Sequence, residues 1–166
     1  MVTDRPGGGH ERGIRSGTPD VAGACALAAA LEFAVEHRLE RVQRAQKLRE
    51  RLISGLPQGV RLSVDPATAS AAIIHLLIPT HHPEAVLLAM DMAGVDVSAG
   101  SACHAGVTRP SRVVMALGYS ENQALGVLRV STGLETTVED IDAFLCALPA
   151  AIRAGQALDE RDRMDA

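Results

Sequence analysis

Aromatic residues are almost missing from this chain: there is no tryptophan, one tyrosine (Tyr119) and two phenylalanines (Phe33, Phe144). That excludes the aromatic platforms on which single-strand nucleic-acid binders stack bases. A core must be built from Ala, Leu, Val and Ile. A basic field is missing too, since the net charge is -4 and the pI is near 5.8, so no nucleic-acid partner is expected. Lysine occurs once, as Lys47. The three cysteines, Cys25, Cys103 and Cys146, show no metal-ligand spacing, and no metal site is expected. No long apolar run and no apolar leader follow Met1-Val2-Thr3-Asp4-Arg5. Neither a membrane span nor a secretory signal is expected, and the few cysteines point to a reducing cytoplasm. The 166 residues suit one domain, which can bury roughly 70% of the surface its unfolded chain exposes.

What is present centres on Val97-Ser98-Ala99-Gly100-Ser101-Ala102-Cys103-His104-Ala105-Gly106, a small-residue loop with one thiol between a predicted strand and a predicted helix. Gly, Ser and Ala leave little bulk around the sulfur and let another molecule approach. On the thiol alone the opposite reading stays open, because free cysteine is commonly buried and inert.

Upstream lies Gly7-Gly8-Gly9-His10-Glu11-Arg12-Gly13-Ile14-Arg15-Ser16-Gly17-Thr18-Pro19. Glycines at this density give tight turns or close backbone approach to a ligand. No Gly-Lys-Ser/Thr follows, so the stretch is not a P-loop, and it does not match the dinucleotide fingerprint. Thr18 with Pro19 reads as a helix start, which is either a simple cap or an anion site for a phosphate. From Pro19 to Leu56, Leu27, Leu31, Val35, Leu39, Val42, Leu48 and Leu52 recur mostly at three- or four-residue steps. One long amphipathic helix is expected, ended by Gly55, Pro57 and Gly59, with Cys25 packed among alanines.

Two strands follow, 60–64 and 71–78, with His75 in an apolar run as a core or sheet-face residue. His81 and His82 before Pro83 read as loop and cap, and 83–93 as a helix closed by Gly94. Val95 and Val97 alternate as a strand leading into the cysteine loop. A short helix spans 109–117. Ser120 and Gln123 have capping-box spacing, as do Thr137 and Asp140. Between them Val127 to Ser131 alternates, with Leu128 and Val130 on one face and Arg129 on the other. The final helix carries Ile141, Phe144, Leu145, Leu148 and Ile152 with Cys146, and Pro149 should kink or break it. The charged end, 159–166, reads as a frayed tail.

Taken together, residues 7–18, Ser-Ala-Gly-Ser-Ala-Cys (98–103), Pro-Ser-Arg-Val-Val-Met-Ala-Leu-Gly (110–118) and Leu-Arg-Val-Ser-Thr-Gly (128–133) resemble the C-terminal portion of a cysteine desulfurase. That family belongs to the class V aminotransferases, fold-type-I enzymes that use pyridoxal phosphate (PLP). The Gly-Ser-Ala-Cys form is similar to the NifS/IscS-like branch.

The resemblance implies that Cys103 is the nucleophile that takes sulfur from L-cysteine, becoming a persulfide and releasing alanine. It implies that Arg129 pairs with the substrate carboxylate and that Thr18, aided by Gly17, bonds the PLP phosphate across a homodimer interface. His104 is a candidate auxiliary that could lower the thiol pKa. In the family, the lysine bound covalently to PLP lies upstream of the glycine-rich stretch, and Lys47 cannot replace it. A chain of this portion alone should not run the reaction by itself.

The expected architecture is therefore α/β: a glycine-rich phosphate and interface loop (1–18), a long connecting helix (19–56), a small C-terminal domain with a mixed sheet covered by helices (57–158) and a charged tail (159–166). The expected partners are L-cysteine, a second copy or a complementary N-terminal chain, and an iron–sulfur scaffold or other sulfur acceptor. The rival readings are a non-catalytic desulfurase-like binding domain, or a selenocysteine lyase or aminotransferase relative.

Overall fold

Where one long helix was expected, the computed structural model, which describes residues 7–100 and 109–165, has two. Helix α1 runs Val21–Glu36 and α2 runs Arg38–Ser54. The break is at His37, whose backbone N–H and ring Nδ1 both turn to the Phe33 carbonyl, at 3.2 and 2.9 Å. The imidazole also lies against the Phe33 ring, with centroids 4.2 Å apart. The Phe33 carbonyl is thus shared between the backbone and the side chain of His37, at a boundary that has neither glycine nor proline.

The chain divides into two compact units, residues 1–40 and 41–166. In the first, a single 3-10 turn at His10–Gly13 holds Glu11 and Arg12 at left-handed φ. Helix α1 begins after Asp20, not after Thr18: the Asp20 carboxylate accepts from the Gly23 N–H at 2.9 Å. The expected Thr18 cap is thereby corrected, because a carboxylate also suits the positive end of the helix dipole. No residue of α1 is buried. Cys25, expected to be packed, is exposed.

In the second unit, β1 (Arg61–Leu62), β2 (Ile73–Leu77), β3 (Ser98–Ala99) and β4 (Val127–Ser131) form a sheet of order β1-β2-β4-β3. Every pairing is antiparallel, which corrects the mixed sheet expected from sequence. Helix α3 (Pro83–Met92) does carry the chain from β2 to a strand running the same way, β3, but β4 lies between them. Parallel strands thus never become neighbours. Val95 and Val97 pack against the core, yet pairing starts only at Ser98.

One sheet face is buried. Ile74 and Leu76 of β2 and Leu128 and Val130 of β4 meet Leu48 and Leu52 of α2, Val86 and Met90 of α3, and Phe144, Leu148 and Ile152 of α6 (Val138–Met164). Each such side chain contributes about 1.5–3 kcal/mol on full burial. On the other face, Leu77 and Val127 pack at one end with Val114 of α4 (Arg112–Ala116), Ala124 of α5 (Glu121–Leu125) and Tyr119.

Both expected capping boxes are formed, Ser120/Gln123 before α5 and Thr137/Asp140 before α6. Helix α6 is long and apolar enough to cross a membrane by length and composition. Its Ile141, Phe144, Leu148 and Ile152 are instead buried in the core. Pro149 does not break it, and it continues through the span expected to fray. There Asp159 and Asp162, one helical turn apart, hold His81 and His82: His82 Nε2 is 2.9 Å from Asp162 and the His81 backbone N–H is 3.1 Å from Asp159. Cys146, placed by sequence on the apolar face, is exposed.

Candidate functional site

The outer sheet face, beyond the Leu77 and Val127 cluster, carries one transverse row of polar residues. Alternation on β4 sends Leu128 and Val130 inward and Arg129 outward. Antiparallel register sets His75 directly beside Arg129 on one flank and Ser98 on the other. Ser63, just past β1, continues the row, its backbone N–H donating to the His75 carbonyl at 3.0 Å. The order across the sheet is Ser63, His75, Arg129, Ser98.

Each end of the row is tied. Ser63 Oγ and His75 Nδ1 are 2.8 Å apart, and Arg129 Nη2 donates to Ser98 Oγ at 3.2 Å. Tyr119 donates its hydroxyl to the Ser63 carbonyl at 3.0 Å, and the Arg61 guanidinium lies over the Tyr119 ring, 5.5 Å from its centroid. Among the described residues no ion pair involves Arg61 or Arg129. Among those residues the face presents cations without counter-charges, which suits an anion.

Burial, and after it the Arg129 charge, holds the His75 imidazole below its ordinary pKa. The unfolded chain then binds the proton more readily than the folded one. Stability from this group is complete above the unfolded value of about 6.5 and is lost as pH falls toward the lower folded value. Urea unfolding across that window should show His75→Gln with a shallower acid-side loss than the wild type. Equal slopes would remove the contribution.

Of the residues singled out from sequence, Arg129 stands in this row. Gly17 and Thr18 lie in the other unit; Gly17 has φ +94, a conformation that favours glycine. Thr18 is exposed, and the Arg15 guanidinium donates to the carbonyls of Gly17 and Thr18 at 3.2 and 3.3 Å. Cys103 and His104 lie outside the described residues. Sequence reading left Ser63, Ser98 and Tyr119 without a role, and left His75 between core and sheet face. Only the register across four strands brings them together.

The family model described as aminotransferase class-V matches residues 8–144. The chain belongs to that family. Among its class V relatives, the IscS-like cysteine desulfurase of Mycobacterium tuberculosis is 39% identical over 150 residues, which cover 88% of this chain and 38% of the relative. Cysteine desulfurase IscS of Clostridium botulinum is 38% identical over 154 residues, covering 89% and 38%. The structure of a NifS-like protein from Rickettsia africae superposes with a TM-score of 0.77 at 26% identity, over 90% of this chain and 39% of that one. The chain thus spans less than two fifths of the length of these relatives, as a C-terminal portion of a class V enzyme does.

PLP is the cofactor this family implies, and the described residues fit one end of it. Thr18 and Gly17, with Arg15 beside them, are a hydroxyl, a compact backbone and a cation suited to a phosphate. The helix start itself is not open to an anion, since Asp20 caps it. The lysine end does not fit: Lys47, the sole lysine, is exposed on α2.

Proposed function

We propose that this chain is the sulfur-accepting, carboxylate-binding portion of a cysteine desulfurase acting in the cytoplasm. The observation that carries the reading is the placement of Arg129. It is exposed on β4, has no acid partner among the described residues and is tied to Ser98, from which the sequence reaches Cys103 five residues later.

In this reading Arg129 grips the carboxylate of L-cysteine, a planar two-pronged donor being the natural partner of that group. Cys103, as thiolate, forms an S–S bond with the substrate sulfur while the substrate C–S bond breaks. The electron pair and a proton remain on the three-carbon product, alanine, and the persulfide stays on the protein, so no outside oxidant is needed. An ordinary thiol is only a few per cent thiolate at neutral pH. His104, when protonated, would raise that fraction. PLP, held at its phosphate by Thr18 and Gly17, supplies the electron sink. Its covalent lysine must come from a preceding segment or a complementary chain, and the assembly would be a homodimer or such a pair. The sulfur then passes to an iron–sulfur scaffold or another acceptor protein.

The test uses the assembly purified from its own cells and given L-cysteine. The peptide carrying Cys103 should gain the mass of one sulfur atom, matched by one alanine. Cys103→Ser should abolish both, with L-cysteine binding retained. Alanine release that survives Cys103→Ser would overturn the reading.

A further inference from the structure

We infer that His75 is a second carboxylate-binding donor beside Arg129, so that substrate is held from two adjacent strands rather than by one side chain. The inference rests on the desulfurase reading and deepens it.

It begins at Ser63, which is 4% exposed. A buried hydroxyl places its proton on an acceptor, and among the described residues the side-chain partner of Ser63 Oγ is His75 Nδ1, at 2.8 Å. A neutral imidazole has one accepting and one donating nitrogen. If Ser63 donates to Nδ1, the ring proton sits on Nε2. Ser63 is itself fixed by its backbone, donating its N–H to the His75 carbonyl and accepting the Tyr119 hydroxyl on its own carbonyl. These backbone bonds hold Ser63 Oγ and, through it, the ring orientation, while donation from Oγ to Nδ1 selects the Nε2–H tautomer.

The remaining donor, Nε2–H, has no hydrogen-bond partner among the described residues. Arg129 likewise spends one nitrogen on Ser98, and among the described residues the rest of its fork has no hydrogen-bond partner. As direct antiparallel partners the two residues have Cβ atoms about 4.5–5.5 Å apart, a spacing that one carboxylate can bridge with an oxygen to each strand. Burial and the neighbouring guanidinium both favour neutral imidazole, so the two donors do not repel each other. A donor that is neutral and one that is charged can share an anion without the cost of two adjacent cations.

Magnetic resonance of the whole chain with isotope-labelled histidine and arginine tests this, with L-alanine and acetate as probes. The wild-type His75 ring should carry its proton on Nε2, and Ser63→Ala should mix the tautomers. L-Alanine and acetate should each shift both His75 Nε2 and the Arg129 guanidinium. His75→Leu should weaken L-alanine binding about tenfold, and His75→Gln, which restores an N–H donor, should recover most of it. The wild-type titration needs no variant to fold. If the probes shift Arg129 but not His75, or if His75→Leu binds as the wild type does, the inference fails and the Arg129 role stands. If L-alanine shifts neither residue, both the inference and the carboxylate reading fail.

Discussion

Gly126→Ala is expected to lower the melting temperature by about 10 °C. A Cβ at Gly126 would collide with the carbonyl oxygens of Ile78 and Thr80. These are backbone atoms on either side of Pro79, in a segment whose Ile78 N–H donates to the Gly126 carbonyl at 2.8 Å. No side-chain rotation relieves the overlap. The chain after β2 must move away from the start of β4, which loses that hydrogen bond. Overpacking against backbone costs about 2–3 kcal/mol and the lost bond about 1 kcal/mol, so the total is on the order of 3 kcal/mol.

Calorimetry decides the point, with Gly133→Ala as the control. Among the described residues, a Cβ at Gly133 would meet only Thr136 Oγ1, at 3.9 Å, and this substitution should cost under about 0.5 kcal/mol. Equal melting temperatures for the two variants would show that the approach at Gly126 is not tight. Because Arg129 lies three residues after Gly126, the same shift should disturb the polar row, and L-alanine binding should weaken with it.

Arg129→Ala in the complete assembly should reduce kcat/KM for L-cysteine on the order of a hundredfold, mostly through KM. Arg129→Lys should recover little of this, since an ammonium offers a point charge in place of a planar fork. The fold should hardly notice, because Arg129 is exposed and, among the described residues, its side chain bonds only Ser98. The discriminating substrate is cysteamine, which has the thiol and amine but no carboxylate. Its slow turnover should be the same with and without Arg129. An equal loss on both substrates would mean that Arg129 acts on structure, and the carboxylate assignment would fall.

Local signals were the ones legible from sequence. Ser120 with Gln123 and Thr137 with Asp140 satisfy their own helix starts within four residues, and both boxes form as read. Alternation at Leu128, Arg129 and Val130 placed an arginine on the open face, since inward and outward positions of a strand follow from parity alone. What was not legible depended on partners far away in sequence. Residues 159–164 look like a frayed charged end until Asp159 and Asp162 find His81 and His82 about eighty residues upstream. His75 gains its meaning only from register, which sets it between Ser63 and Arg129. At the start of α1 the expected cap, Thr18, gives way to Asp20, whose carboxylate accepts from the Gly23 N–H three residues on. At His37 the apolar steps continue unbroken, and the helix boundary there, where the ring also bonds the Phe33 carbonyl, is one that periodicity does not report.

The alternation of β4 also governs which length changes the gene can tolerate. Losing or gaining one residue inside the strand would turn Arg129 into the core and Leu128 and Val130 toward water at once, so core and anion face fail in the same event. Two residues at a time would keep each side chain on its own face and move Arg129 one step along, opposite Ile73 or Leu77 rather than His75. Single-codon insertions in this strand should therefore be purged as folding defects before any effect on activity is seen. Paired ones could persist as folded proteins that have lost the juxtaposition of His75 and Arg129.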